Sequence, residues 1–496
     1  MKFVLIDYYF IVFIIFMLVC STFLSYSSYY STCINSNSLK DKINLVFIEN
    51  KFFKNIIYPL LNLFKLIFFI FIFYFILNTV DIGIEKIYNY LIYKNIFFIS
   101  KVSILILITF FLYLFNQYIK IFKWFDFEIL ILLLFSCFSL INIIHVENFF
   151  TFYLILEFYS IIIATVIGLK KTRVSAESAF KYFIFNAISS SFILFSISIF
   201  YMFTGIYTFS NLHAFFAFFN IIEHINLYFV YIGFIFILIG FLMKLTVIPF
   251  NYWIIDVYDG SPTVITFFLL LIPKFSFTML LIKLCYCIFM SINFFWTTLI
   301  LVIIIISNIV NNFAAIYQIK FKKLIIYASF SNIFFFLLPL YLKNFFSIII
   351  FFAFFTIYFL NMFFLFFIYN NLINISIWNI TIIKKITFFL NFIEINKALT
   401  YIFVSIVLSL AGLPPFSGFF AKFYYLVLLV DSGNLILFFL ISFFNIFTIY
   451  YYVRLMKLLF QFELKYKLVI FKNELLIFFL IIFFLLIYFL FFILIV

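Results

Sequence analysis

The run Gly240-Phe-Leu-Met-Lys244-Leu-Thr-Val-Ile-Pro249 puts a lysine and a proline inside a hydrophobic stretch long enough to cross a bilayer. Proline lacks a backbone N–H and its ring clashes with the preceding turn, so a spanning helix breaks there. The released carbonyls are tolerable in hydrocarbon only where protein or water satisfies them. A second run, Gly412-Leu-Pro414-Pro415-Phe-Ser-Gly418-Phe-Phe-Ala-Lys422, combines glycine, proline and one lysine again, about five helices later. Interrupted segments at corresponding places in two halves of a chain are the sequence pointer to a transport site. The two runs are read as breaks in two related repeats.

The surrounding sequence is that of a multi-pass membrane protein. Of 496 residues, 69% are hydrophobic and only 10% charged, more apolar surface than a soluble core of this length needs. A span takes about 20 apolar residues. That template gives fourteen candidate helices, at 3–24, 56–79, 97–116, 127–145, 149–169, 179–204, 227–256, 263–289, 293–315, 324–342, 345–370, 399–430, 434–460 and 474–495. The first resembles a signal peptide, with Lys2 before an apolar run, but no small-x-small cleavage pattern follows it, and it is read as a transmembrane helix. The 92 Phe and 35 Tyr, with abundant Ile, Asn and Lys, have the look of an AT-rich coding sequence, such as an organellar one. Aromatic content therefore reports the genome more than a stacking site.

The net charge of +14 has two readings, nucleic-acid binding and membrane topology. The lysines lie in short loops between apolar segments, which favours the second. Of 31 basic residues, 21 fall in loops after odd-numbered helices, six on the opposite side, and four (Lys65, Lys244, Lys274 and Lys422) within helices. This asymmetry predicts an even helix number with both termini on the outer side. Five cysteines, three histidines and the glycines form no metal-ligand, disulfide or phosphate-cradling pattern.

Four charges inside apolar stretches remain: Glu157, Lys244, Lys274 and Lys422. A charge at the centre of a span costs about 2.5–3.5 kcal/mol on insertion scales, and such residues usually mark an ion or proton path. Glu157 is the only one of 17 acids near the middle of an apolar helix. It reads either as a hydrogen-bonded structural carboxyl or as the charge partner of a buried lysine. An opposite charge favours the carboxylate and burial disfavours it, so movement of the partner would make a proton switch. Lys244 precedes Pro249 by about a turn and a half; snorkelling to the interface is the competing reading. Lys274 follows Pro273 in mid-segment, and Lys422 follows the Gly412–Gly418 break.

These residues resemble a known family. Phe-Leu-Met-Lys244-Leu-Thr-Val-Ile-Pro249-Phe-Asn251-Tyr-Trp253-Ile-Ile-Asp256-Val-Tyr258-Asp-Gly260-Ser-Pro262 is similar to the signature of proton-pumping antiporter-like membrane subunits. Its Asp-Val-Tyr-x-Gly-Ser-Pro ending resembles the N-type subunits (subunit 2) of mitochondrial NADH:ubiquinone oxidoreductase, respiratory complex I. Leu-Ala-Gly412-Leu-Pro414-Pro415-Phe-Ser-Gly418-Phe-Phe-Ala-Lys422, Tyr450-Tyr-Tyr-Val-Arg454-Leu-Met-Lys457, Glu157 and Ala-Glu177-x-Ala-x-Lys181 match the same group, over roughly residues 145–460.

The resemblance implies an all-α polytopic fold of about fourteen helices. Residues 1–125 would hold helices 1–3, 126–290 the first repeat (helices 4–8), 291–460 the inverted second repeat (helices 9–13) and 461–496 helix 14, with helices 7 and 12 broken. It implies that Glu157 pairs with Lys244, that Lys274 continues a polar axis and that Lys422 is the exit-side lysine. It also implies a subunit without a cofactor of its own, in a complex using NADH, FMN, iron–sulfur clusters and ubiquinone elsewhere. Its partners would be other membrane-arm subunits and the lipid of the mitochondrial inner membrane, with both termini facing the intermembrane space and no nucleic acid. Many relatives carry histidine where Asn251 and Asn332 stand here. Asn cannot accept and release a proton at these pH values, so these two positions would order water in the relay. The rival readings are a stand-alone or Mrp-type cation/proton antiporter subunit, and a scaffold that has lost pumping.

Overall fold

The computed structural model describes residues 89–122, 127–170, 172–219, 227–375 and 397–460. The expected spans at 3–24, 56–79 and 474–495 lie outside these residues. The described residues are all-helical, with one isolated bridge pairing Asn148 and Thr208. Nine of their helices are long and apolar enough to cross a membrane.

The helices fall into two units. The first holds α1 (Asn89–Phe122), α2 (Phe127–His145) and most of α3 (Phe149–Gly168). Helix α1 packs on α2, and Phe135 of α2 meets Phe158 of α3 edge to face at 5.9 Å. The helix expected at 97–116 starts earlier, at Asn89. Lys101, counted among the six basic residues outside the helices although the expected span covers it, is inside α1 and fully buried.

The second unit comprises Glu147–Phe149 and the helices from α4 onward. These are α4 (Arg173–Thr204), α5 (Phe209–Phe219), α6 (Leu227–Leu245), α7 (Tyr252–Gly260), α8 (Thr263–Cys287), α9 (Asn293–Ile316) and α10 (Phe321–Leu342). Then follow α11 (Phe345–Ile375), α12 (Lys397–Ala411), α13 (Ser417–Asp431) and α14 (Leu435–Phe460). Helix α4 begins six residues before the expected 179, and α5, which carries His213, occupies a stretch read from sequence as a connection. The segments 227–256 and 399–430 are each split in two, as α6–α7 and α12–α13.

Helices α8 and α10 form the centre of this unit. Every residue in the apolar window of α8 is buried, and 89% of that of α10, against 33% for α4 and α14 at the periphery. A helix apolar all round is one surrounded by protein or lipid on every side, and here protein covers the central pair. Helix α4 packs closely along α6 and α7, its buried serines Ser178, Ser189, Ser190 and Ser196 being small enough to let backbones approach. Each serine also returns its hydroxyl to a carbonyl one turn back, leaving no donor idle in hydrocarbon. Arg454 of α14 donates to the carbonyl of Ile316, closing the C-terminal end of α9 at 2.6 Å.

Candidate functional site

The two breaks are built alike. At the end of α6 the Thr246 N–H donates to the Met243 carbonyl and the Val247 N–H to that of Leu242. At the end of α12 the Gly412 N–H donates to Ser409 and the Leu413 N–H to Leu408. Both are Schellman caps, in which a left-handed residue turns the chain off the helix axis. Thr246 has φ +61° and Gly412 φ +80°. A turn follows at once in each, closed by Phe250 N–H to Val247 O at 2.8 Å and by Phe416 N–H to Leu413 O at 3.0 Å. Each turn contains a cis proline, Pro249 and Pro415, and the second half-helix then begins.

This geometry sets the register of the two breaks, which the sequence matched only by residue type. Thr246 corresponds to Gly412 and Pro249 to Pro415, so Gly240 is not the counterpart of Gly412, nor Lys244 of Lys422. Lys244 lies on the last turn before the first break, while Lys422 lies on α13 beyond the second.

Lys422 nevertheless returns to the break. Its Nζ donates to the carbonyls of Leu410 and Ala411, both at 3.1 Å. A Schellman cap pairs carbonyls further back in the helix and leaves these last ones open, at the negative end of the helix dipole. The lysine fills that vacancy in the hydrogen bonding. Gly418 lets α13 begin directly against the Ser409 carbonyl, where a methyl group would collide with backbone.

Lys244, Lys274 and Lys422 are 8%, 2% and 6% exposed. The latter two share α10. Lys274 Nζ sits 4.6 Å from the centre of the Phe330 ring and has no hydrogen-bond partner among the described residues. Lys422 Nζ lies 5.9 Å from that of Phe335. Ring faces within about 6 Å attract a cation, and five residues of helix separate the two rings by about 7.5 Å along the axis. Pro273, one residue before Lys274, leaves the carbonyl of Leu269 without its helical donor. Tyr258 of α7 supplies a hydroxyl to that carbonyl at 3.3 Å, tying the half-helix to α8 one turn from the lysine.

Asn251, in the first break, is buried and donates to Asn311 Oδ1 of α9 at 2.9 Å. Asn311 belongs to a set that sequence reading passed over: Asn308, Asn311 and Asn312 all lie buried on one face of α9. Their i, i+3, i+4 spacing was visible, but in an Asn-rich chain it did not stand out. Asn332 of α10 donates to the Ala328 carbonyl at 3.1 Å and lines a cavity of about 10 Å³, room for about one water. Lys422, Tyr358, Asn361 and Ser409 line the same cavity.

The half-helix α7 is anchored at its far end by charge. Lys322 donates to the carbonyls of Asp259 (3.1 Å) and Ser261 (2.6 Å), Lys320 pairs with the Asp259 carboxylate at 3.0 Å, and Lys181 pairs with Asp256 at 3.0 Å. The starts of α4 and α10 and the end of α7 thus meet at one end of the unit, a grouping consistent with the lysine asymmetry of the loops. Glu157 stands on α3, in the other unit, half-buried, with Ser160 donating to its Oε2 at 3.3 Å.

Comparison with known proteins gives this arrangement its family. A family model described as "NADH:quinone oxidoreductase/Mrp antiporter, TM" matches residues 146–448, which include both breaks. NADH-quinone oxidoreductase subunit N of the Wolbachia endosymbiont of Brugia malayi is 30% identical over 66% of this chain and 68% of its own. NADH-ubiquinone oxidoreductase chain 2 of Marchantia polymorpha is 27% identical over 75% of each. Among solved structures, a chain of respiratory complex I from Thermus thermophilus has the same fold, with a TM-score of 0.60 at 19% identity over 78% of this chain and 82% of that one. A chain of the Mrp complex from Dietzia gives 0.59 at 17% over 73% and 66%. The chain belongs to the NADH:quinone oxidoreductase/Mrp antiporter transmembrane family, among the relatives named subunit N or chain 2 of NADH–quinone oxidoreductases.

Proposed function

We propose that this chain is a proton-translocating membrane-arm subunit of NADH:ubiquinone oxidoreductase in the mitochondrial inner membrane. It works as a non-redox subunit without a cofactor of its own, beside other antiporter-like subunits. Both termini face the intermembrane space, and helices 4–8 and 9–13 act as two inverted half-channels. The observation that carries this reading is the pair of matching helix breaks with a buried lysine on each. Hydrocarbon penalises such lysines, and a transport path is the reason to keep them.

In this reading Glu157 is the charge partner of Lys244, and a perturbation arriving from quinone reduction elsewhere in the complex alters that pairing. Lys244 then passes its proton to Lys274, and Lys274 to Lys422, along the face of α10. Asn251 with Asn311, and Asn332 at its cavity, hold water between the lysines, since neither amide exchanges protons. Lys422, released from the carbonyls of Leu410 and Ala411, delivers the proton outward.

Two experiments test the proposal. Co-purification with NADH dehydrogenase activity in a megadalton assembly supports it, whereas a small assembly exchanging sodium for protons would favour the Mrp-type reading. Glu157→Gln keeps shape and removes the exchangeable charge, and it is expected to abolish or strongly impair pumping coupled to NADH oxidation. A wild-type proton yield in that variant would sink the assignment.

A further inference from the structure

Tyr358 of α11 is 4% exposed, and it lines the same cavity as Lys422 and Asn332. Its hydroxyl lies near the side chains of Ser329 and Asn332 but meets hydrogen-bond geometry with neither, and it has no partner among the described residues. Ser329 spends its hydroxyl proton on the Ile326 carbonyl, and Asn332 one of its two N–H groups on that of Ala328. A buried hydroxyl without a partner costs about 1–3 kcal/mol, so a phenol in this position is an expensive way to fill space that phenylalanine would fill freely. This chain has 92 phenylalanines, and α11 alone carries Phe354, Phe355 and Phe359 around it.

We infer that the Tyr358 hydroxyl, with one water in the cavity it shares with Asn332, Asn361 and Lys422, is the proton relay that serves Lys422. A hydroxyl can accept a hydrogen bond and donate one at once, which an amide NH₂ cannot do. A proton arriving on the Asn332 side is taken up by the phenol oxygen as the phenol gives its own proton to the water beside the Lys422 amine. At the phenol and again at the water one O–H bond forms as another breaks, the water's released proton forms the new N–H bond, and phenol and water end neutral while the amine becomes an ammonium. Tyr358 thereby supplies at α11 the exchangeable proton that Asn332 lacks at α10. The inference rests on the proposed proton path and adds a residue to it.

The test is proton pumping per NADH oxidised, measured with a pH-sensitive dye in sealed vesicles holding the whole assembled complex. Tyr358→Phe removes one oxygen and keeps the ring, and pumping should fall about tenfold. Adding Asn332→His to Tyr358→Phe puts an exchangeable group back on the cavity and should restore pumping several-fold, a rescue that a packing role for Tyr358 would not give. Asn361→Leu, which fills the cavity and leaves the phenol in the chain, should lower pumping as Tyr358→Phe does, and it stands in if that variant fails to assemble. Unchanged pumping in Tyr358→Phe, in Asn361→Leu, or no rescue by Asn332→His overturns the inference. Lys422→Met separates the two levels: if it abolishes pumping while Tyr358→Phe does not, the path stands and the relay falls. If Lys422→Met also pumps normally, the path itself fails.

Discussion

A side chain at Gly412 would meet the stem of Lys422, 2.8 Å from Cδ and 3.2 Å from Nζ. The residue that ends the helix and the lysine that caps its open carbonyls therefore compete for one volume. Glycine resolves the competition and also takes the left-handed φ of +80° without strain.

Gly412→Ala should expose that dependence. Left-handed backbone costs an alanine about 1–2 kcal/mol, and its methyl pushes Lys422 off the carbonyls of Leu410 and Ala411. A loss of about 1.4 kcal/mol in the step that Lys422 serves is a tenfold loss of rate. Pumping is expected to drop by about that factor while a native gel still shows the full complex. Normal pumping would mean that the lysine's seat on these carbonyls is dispensable.

Thr246 makes the opposite case. It holds the corresponding left-handed position at φ +61°, where a β-branched residue is strained by about 1–3 kcal/mol, and its buried hydroxyl has no partner among the described residues. Thr246→Gly relieves the strain and should raise the thermal stability of the complex with pumping retained. A loss of pumping with stability gained would assign the hydroxyl a part in the path.

The anchor of α7 separates buried from exposed charge. Lys322→Met leaves the carbonyls of Asp259 and Ser261 without their donor, at a cost of about 1–3 kcal/mol. Lys181→Met removes an exposed pair with Asp256, for which under about 1 kcal/mol is at stake. Thermal unfolding of the two variants should rank Lys322→Met clearly below wild type and Lys181→Met near it. The reverse order would contradict the capping role.

The fold was largely legible in the chain because hydrocarbon imposes a simple rule on span length, and because proline marks breaks wherever it falls. The register of the repeat was not. The two runs were matched by residue type alone, whereas the break is defined by backbone sign, and Thr246 carries a left-handed φ that no propensity assigns to threonine. Lys101 was counted with the loop lysines because it lies near the start of the expected span, whereas α1 begins at Asn89. Tyr358 and the asparagine face of α9 were hidden by composition, since Tyr and Asn are common everywhere in this chain. Their meaning came only from the cavity and from the Asn251–Asn311 bond, which join helices far apart in sequence.

The central claim is that buried lysines on the two broken halves carry protons. It is tested most directly by the number of protons moved per NADH oxidised in vesicles containing the assembled complex with Lys422→Met. Methionine keeps the stem and removes the exchangeable proton, so the account predicts that the proton yield collapses while the complex stays assembled. A wild-type rate and a wild-type proton yield together in that variant would contradict it.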